Sequence, residues 1–292
     1  MGKQRRTNSK PRQSAQAEDL AVVQQDDSSS LILLQREGGT AWTFTVRPDS
    51  SPALAAPSEL LQVYATAARG ADREKYWWFI SDGALDEIAM QLEAHAWCVV
   101  DEMLGIDSCE ELRSEVVAAR AAGKLQPSRL AGGRSGKLTS YVHSRVRGDL
   151  VGWFDGEEPG MWATEALSRY LTKLDNFVAE LGKRVVDLAG ICSRSKAMVT
   201  CYPGGGARYV RHCDNSCLVG KGERCNGRRL TAILYLNPHW KIADGGELRL
   251  FEKLAPAGRP PVADIQPLGD RLVLFYSDYR VPHEVRPLSV LR

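Results

Sequence analysis

The sequence predicts a mainly β fold of the sandwich or jelly-roll kind with flanking helices, and three observations carry that prediction. From Lys196 onward, short β-type runs alternate with Gly, Pro, Asn and Asp turns, and no helical period survives. Before that point apolar residues recur at three- and four-residue intervals over long stretches. Helices first and strands afterwards argue against alternating βαβ units and for a β-sandwich with helices on one face. The 292 residues, 43% hydrophobic and 25% charged, are enough for a sizeable core.

Taken in order, residues 1–30 are polar and poor in aromatics, with Lys3, Arg5, Arg6, Lys10 and Arg12 clustered, which predicts a disordered basic tail. A targeting role is the alternative. Leu31 to Thr45 fits a short strand pair inside a segment, 31–76, whose boundaries a Pro- and Ala-rich stretch blurs. The main domain is expected over 77–292. After Ser81 and Asp82 a helix is predicted through Leu85, Ile88, Ala89 and Leu92, followed by a buried strand at Trp97–Val100. Ser108-Cys109-Glu110-Glu111 reads as a capping box opening a helix that stops at Gly123, and residues 126–140 read as loop. An amphipathic helix runs from about Thr164 to Leu181 on Leu167, Tyr170, Leu171, Leu174, Phe177, Val178 and Leu181. These helices form a support over 82–182. The β core, 196–292, holds runs at 197–202, 209–212, 230–236, 247–251, 271–276 and 290–292.

Composition narrows the function classes. The 38 basic and 36 acidic side chains leave a net charge of +2, so no nucleic acid is expected as main partner. No apolar run approaches the ~18 residues of a membrane span, so no membrane partner is expected. The first residues lack a signal-peptide core, and seven scattered cysteines without a Cys-x-x-Cys pair read as reduced thiols. A cytoplasmic and/or nuclear, monomeric protein is the expectation.

The chemistry centres on His212-Cys213-Asp214. Residues two apart on a strand share a face, so an imidazole and a carboxylate stand side by side. His283 lies far downstream. Two histidines and one carboxylate on one face of a metal leave the opposite positions open for a co-substrate and O₂. Alone, His-x-Asp also fits two side chains hydrogen-bonded at a strand end. Arg292, nine residues after His283 past a Pro-containing turn, adds a guanidinium whose fork suits a dicarboxylic acid. Tyr202 and Tyr235 lie on flanking β-type runs and can supply hydroxyls, or be ordinary half-buried tyrosines. The rival His239, in a turn, has no arginine spaced to anchor a co-substrate.

Across residues 80 to 292 the chain resembles the hypoxia-inducible-factor prolyl hydroxylase branch of the Fe(II)/2-oxoglutarate oxygenases. The segments that carry the resemblance include Cys98 to Gly105, Val146 to Asp149, Trp153 to Gly160, Ala197 to Gly204 and Tyr209 to Asn215. So do Leu234 to Asn237, Gly245 to Phe251, Asp264 to Pro267, Asp270 to Leu272 and Ser277 to Val285. The resemblance implies a double-stranded β-helix, a cupin-like jelly roll, with His212, Asp214 and His283 as catalytic Fe(II) ligands. It implies Arg292 on the distal carboxylate of 2-oxoglutarate with Tyr235 as its partner. Tyr202 would lie over the co-substrate, and Thr231, Leu248 and Val285 would line the pocket. Arg229, Asp149 and Trp153 match positions near the substrate groove. The implied reaction couples oxidative decarboxylation of 2-oxoglutarate by O₂ to 4-hydroxylation of a proline in a protein or peptide, with L-ascorbate keeping iron reduced and oxygen sensing as the implied role.

The chain also departs from the family. The segment from Asn215 to Arg228 is longer than usual; with Cys213, its Cys217 and Cys225 fit no standard zinc spacing, and a substrate-facing loop is expected. In the family a further strand segment continues from the arginine at which this sequence stops, so a truncated C-terminal strand and an unpaired edge are expected. The competing readings are a non-catalytic peptide-binding relative and an oxygenase of another substrate.

Overall fold

A computed structural model describes residues 78–130, 142–155, 158, 165–215, 226–253 and 259–289, a few positions between 58 and 65, and the backbone of three strands between 21 and 45. Those strands, β1 (Ala21–Gln24), β2 (Leu31–Glu37) and β3 (Thr40–Thr45), form an antiparallel meander. The expected pair is β2 and β3. β1 interrupts the tail expected to be disordered over 1–30, because a four-residue strand is specified by its partner more than by its own pattern. The start of the domain at Trp77 falls outside the described residues.

The helical support consists of α1 (Asp82–His95), α2 (Ile106–Ala121) and α3 (Glu165–Leu181). α1 buries Leu85, Ile88 and Leu92, and α3 buries Leu167, Tyr170, Leu171, Phe177 and Leu181, the stripe the spacing predicts. Phe177 meets Phe79 edge-on at 5.8 Å. The expected capping box at Ser108 is overturned: α2 begins at Ile106, and Ser108 lies inside it. Its entry is held from far away. Both oxygens of Asp270 accept backbone N–H bonds, from Leu104 and Gly105, each at 2.7 Å. A distant carboxylate thus fixes the chain just ahead of a helix whose N-cap, Gly105, has no side chain to cap it. Arg271, grasping Asp101 at 2.6 and 2.8 Å, ties down the same connection.

Every strand pairing is antiparallel. One sheet has the order β11 (Ala263–Ile265), β10 (Leu248–Leu250), β13 (His283–Leu288), β8 (Ala207–His212). A second has β4 (Trp97–Val100), β12 (Arg271–Tyr276), β9 (Leu230–Tyr235). A third joins β5 (Gln126–Pro127), β6 (Leu150–Phe154) and β7 (Ala197–Cys201), so residues 126 and 127, expected in a loop, add an edge strand. From β8 to β13 the chain passes back and forth between the first two sheets, the winding of a double-stranded β-helix. β11 and β13 are absent from the runs read in the sequence, since three residues and a Pro-containing stretch give too little alternation. The expected run at 290–292 lies outside the described residues.

β12 is buried at all six positions, and its run Leu272-Val273-Leu274-Phe275 is the continuous apolar signature of a strand covered on both faces. Phe275 reaches within 4.6 Å of the His283 ring (centroid to centroid), so the two sheets meet at that histidine. Before β10 the chain runs close beneath β13. Gly245 and Gly246 have φ of +70° and +82°, and an added Cβ would fall 2.3 Å from the Pro287 carbonyl oxygen and 2.5 Å from Leu288. Only glycine fits both the backbone conformation and the space.

Candidate active site

His283 opens β13 and His212 ends β8, and the two stand directly opposite each other in the ladder. Asp214 follows two residues after His212. Ligating atoms of these three residues all lie within 4.8 Å of one another, the one such cluster among the described residues. The Nε2 atoms of His212 and His283 are 3.6 and 3.9 Å from Asp214 Oδ1. Each imidazole is pinned from behind: the Nδ1 of His212 meets the Val210 carbonyl at 2.8 Å and that of His283 the Val281 carbonyl at 3.0 Å. A carbonyl can only accept, so Nδ1 carries the hydrogen and the Nε2 lone pair points to the common space. Thr231 donates its hydroxyl to Asp214 Oδ2 at 2.7 Å and meets Ser277 at 2.8 Å. Burial pushes the Asp214 carboxyl upward, but its contacts with His212, His283 and Thr231 outweigh that and hold it well below the usual carboxylate range. Burial, reinforced by His212, pushes His283 down to about 4. At neutral pH the site therefore offers a neutral imidazole at His283 and a carboxylate at Asp214. Two nitrogens and one oxygen that converge on one side are a fitting donor set for Fe(II) with open positions.

Around this centre Leu248 pairs with Val285, and Leu250 with His283, across β10 and β13. The expected pocket residues Leu248 and Val285 thus share the face of His283. Tyr202 and Tyr235 are partly buried, burial raises both phenols, and Tyr202 lies within electrostatic reach of Tyr235, Tyr209, Arg147 and Asp149. Arg292 lies outside the described residues. Asp149 is buried at 2% exposure and bonded to Arg147 at 2.8 and 3.0 Å, so its carboxylate faces that guanidinium rather than open solvent. Trp153 is 46% exposed on β6 opposite Met198, and Arg229 is exposed just before β9. His239 is an exposed turn residue. Cys213 is partly exposed; Cys217 and Cys225 lie outside the described residues.

The sequence reading missed Ser277, Tyr209 and Arg147. Ser277 is fully buried; besides its hydroxyl contact, its N–H donates to the Arg229 carbonyl at 3.0 Å and its carbonyl accepts from Asn215 at 2.8 Å. Asn215 Nδ2 donates to the Arg228 carbonyl and Asn226 Nδ2 to the Asp214 carbonyl, each at 2.7 Å. These four bonds clamp the base of the segment between 215 and 226. Ser277 had a signal in the resembling segment that begins with it. Tyr209 and Arg147 also lie in resembling segments, but strand alternation does not put Tyr209 on the face of His212.

Residues 197–292 match the model of the 2OG-Fe(II) oxygenase superfamily. Over 210 residues, 72% of this chain, the sequence is 36% identical to Egl nine homolog 1 of Rattus norvegicus and covers 56% of that protein. Over the same length it is 38% identical to human prolyl hydroxylase EGLN3, covering 80% of it. The chain spans about half the length of the Egl nine homologs it matches. Among solved structures, a Trichoplax adhaerens prolyl hydroxylase in complex with a hypoxia-inducible-factor peptide fragment superposes with a TM-score of 0.62 at 30% identity, over 76% of this chain and 92% of that one. Identity of this order, along a fold that brings the triad together, leaves one assignment: the chain belongs to the hypoxia-inducible-factor prolyl hydroxylase family of the 2OG-Fe(II) oxygenases.

Proposed function

We propose that this chain hydroxylates a proline residue of a protein substrate at the 4-position, with His212, Asp214 and His283 as the catalytic metal ligands. One observation carries the reading: two Nε2 lone pairs and a carboxylate converge within 4.8 Å, each oriented by a bond on its far side. The family works with Fe(II), 2-oxoglutarate and O₂, which when bound supply oxidative decarboxylation to succinate and CO₂ and the oxygen atom that enters the proline C–H bond. The protein's part is orientation and exclusion of water. His212 and His283 keep Nε2 free by donating Nδ1–H to carbonyls, and Thr231 occupies the Asp214 oxygen that would otherwise turn away. Leu248 and Val285 supply a dry wall, Tyr202 and Tyr235 supply neutral hydroxyls, and Arg292 supplies the guanidinium for the distal carboxylate of 2-oxoglutarate.

The substrate is a proline-containing protein segment, as the peptide bound to the Trichoplax relative supports. Trp153, with Asp149 and Arg229 nearby in the family pattern, serves its docking. L-ascorbate maintains the reduced metal. The setting is a cytoplasmic and/or nuclear oxygen response, with the protein as a monomer. The test is incubation of the chain with Fe(II), 2-oxoglutarate, ascorbate and a panel of proline peptides. Succinate release and a peptide heavier by one oxygen atom, on a residue whose fragmentation matches 4-hydroxyproline, are expected. Succinate formation unaffected by His283→Ala, or turnover of free metabolites alone, would overturn the reading.

A further inference from the structure

The ladder between β8 and β13 contains a one-residue slip. His212 faces His283, yet Tyr209 faces Val285, so two residues of β8, Val210 and Arg211, stand opposite Glu284 alone. In an unbroken strand residues three apart point to opposite faces; one inserted residue restores them to the same face. The consequence is a stack. The Tyr209 ring lies on the His212 imidazole with centroids 3.7 Å apart and planes 21° from parallel. The Arg147 guanidinium lies 4.6 Å from the centre of the Tyr209 ring. Asp149 holds that guanidinium by two bonds at 2.8 and 3.0 Å. The backbone keeps these side chains in line, with Val210 N–H donating to the Val146 carbonyl and Gly148 N–H to the Arg208 carbonyl, both at 2.9 Å.

The two histidines need different support. His283 is 3% exposed and wedged against Phe275 in the core. His212 ends β8 with 12% of its side chain exposed, and besides its one bond at Nδ1 its ring is held only by packing, on His283 at 4.3 Å and on Tyr209 at 3.7 Å. We propose that Tyr209, backed by the Arg147–Asp149 pair, is the positioning residue that fixes the plane of His212 toward the metal. This rests on His212 being a metal ligand.

The test uses Co(II) with the full chain under argon, read by equilibrium dialysis and by the visible absorption of the bound ion. Tyr209→Leu is expected to bind Co(II) about 10-fold more weakly, the scale on which outer-sphere supports act, with a shifted absorption band. Tyr209→Phe keeps the ring and is expected to restore both. A folded Tyr209→Leu protein with wild-type affinity and band would overturn the proposal. Should that variant not fold, Arg147→Met is the arbiter, because it removes the backing and leaves the ring. Weaker binding and a shifted band are then expected, and an unchanged site would overturn the proposal. His212→Ala binding Co(II) as tightly as wild type would instead sink the ligand assignment itself, a result separable from both.

Discussion

Neighbouring residues of β8 and β13 look in opposite directions: His212 and His283 into the space between the sheets, Arg211 and Glu284 to the other side. Both sides are dense in ionisable groups. On the outer side Arg249 grips Asp264 with two 2.8 Å bonds and lies 3.8 Å from Glu284. Arg286 reaches Glu247 at 3.5 Å and Asp264 at 3.7 Å, and Arg211 packs its guanidinium 3.8 Å from the centre of the Phe251 ring. Cations face anions there. On the inner side both histidines turn Nε2 toward the same Asp214 oxygen, at 3.6 and 3.9 Å. Three atoms able to ligate a metal converge on one space. The inner trio turns its donor atoms toward one shared space, whereas the outer groups are spread over the Arg249–Asp264 pair, Glu284, Arg286 with Glu247, and an Arg211 stacked on Phe251.

That contrast breaks first at His283. His283→Ala should abolish metal binding, measured by equilibrium dialysis, while the outer cluster keeps the protein folded. Retained binding would end the distinction. Arg249→Met should do the converse. Leaving Asp264 and Glu284 buried without their cation is expected to cost about 3–5 kcal/mol in urea unfolding of the metal-free protein, with metal affinity of the folded fraction unchanged. A loss below about 1 kcal/mol would show that the outer cluster is solvated like a surface pair.

The pH dependence separates the two sides further. Burial, opposed by Arg249 and Arg211, raises Glu284 from 4.5 to about 7. Between those values the folded state keeps a proton that the unfolded chain has lost, so stability falls as pH rises. His283, lowered from 6.5 to about 4, acts with the opposite sign: the unfolded chain holds the extra proton, so stability rises over that window. In the metal-free wild type the two slopes largely cancel between pH 4.5 and 6.5. Glu284→Gln should unmask a rise of at most about 1.4 kcal/mol per pH unit, and a flat profile would remove the claim. The smallest effect is expected for Thr231→Val, which frees one Asp214 oxygen and should weaken metal binding by about 10-fold with little change in unfolding.

The sequence made the triad legible because ligand chemistry demands particular side chains at particular spacings, and His212-x-Asp214 survives any detail of folding. α1 and α3 were legible from their apolar stripes for the same reason. What stayed hidden depends on partners remote in the chain. The entry of α2 is set by Asp270, more than 160 residues away, so a local Ser-Cys-Glu-Glu pattern misled. Tyr209 was hidden because strand alternation puts it on the wrong face, and the slip that turns it inward exists only once β8 has met β13. Asp149 was read as a groove residue from family position, and its burial under Arg147 is a tertiary fact.

The clamp around Ser277 has a consequence for where Asp214 stands. Asn215, Asn226 and Ser277 close a ring of four bonds between the turn that carries Asp214 and the start of β9. Asp214 is thus tied to the start of β9 twice over, through Thr231 on its side-chain oxygen and Asn226 on its carbonyl, so its place relative to the sheet does not depend on either contact alone.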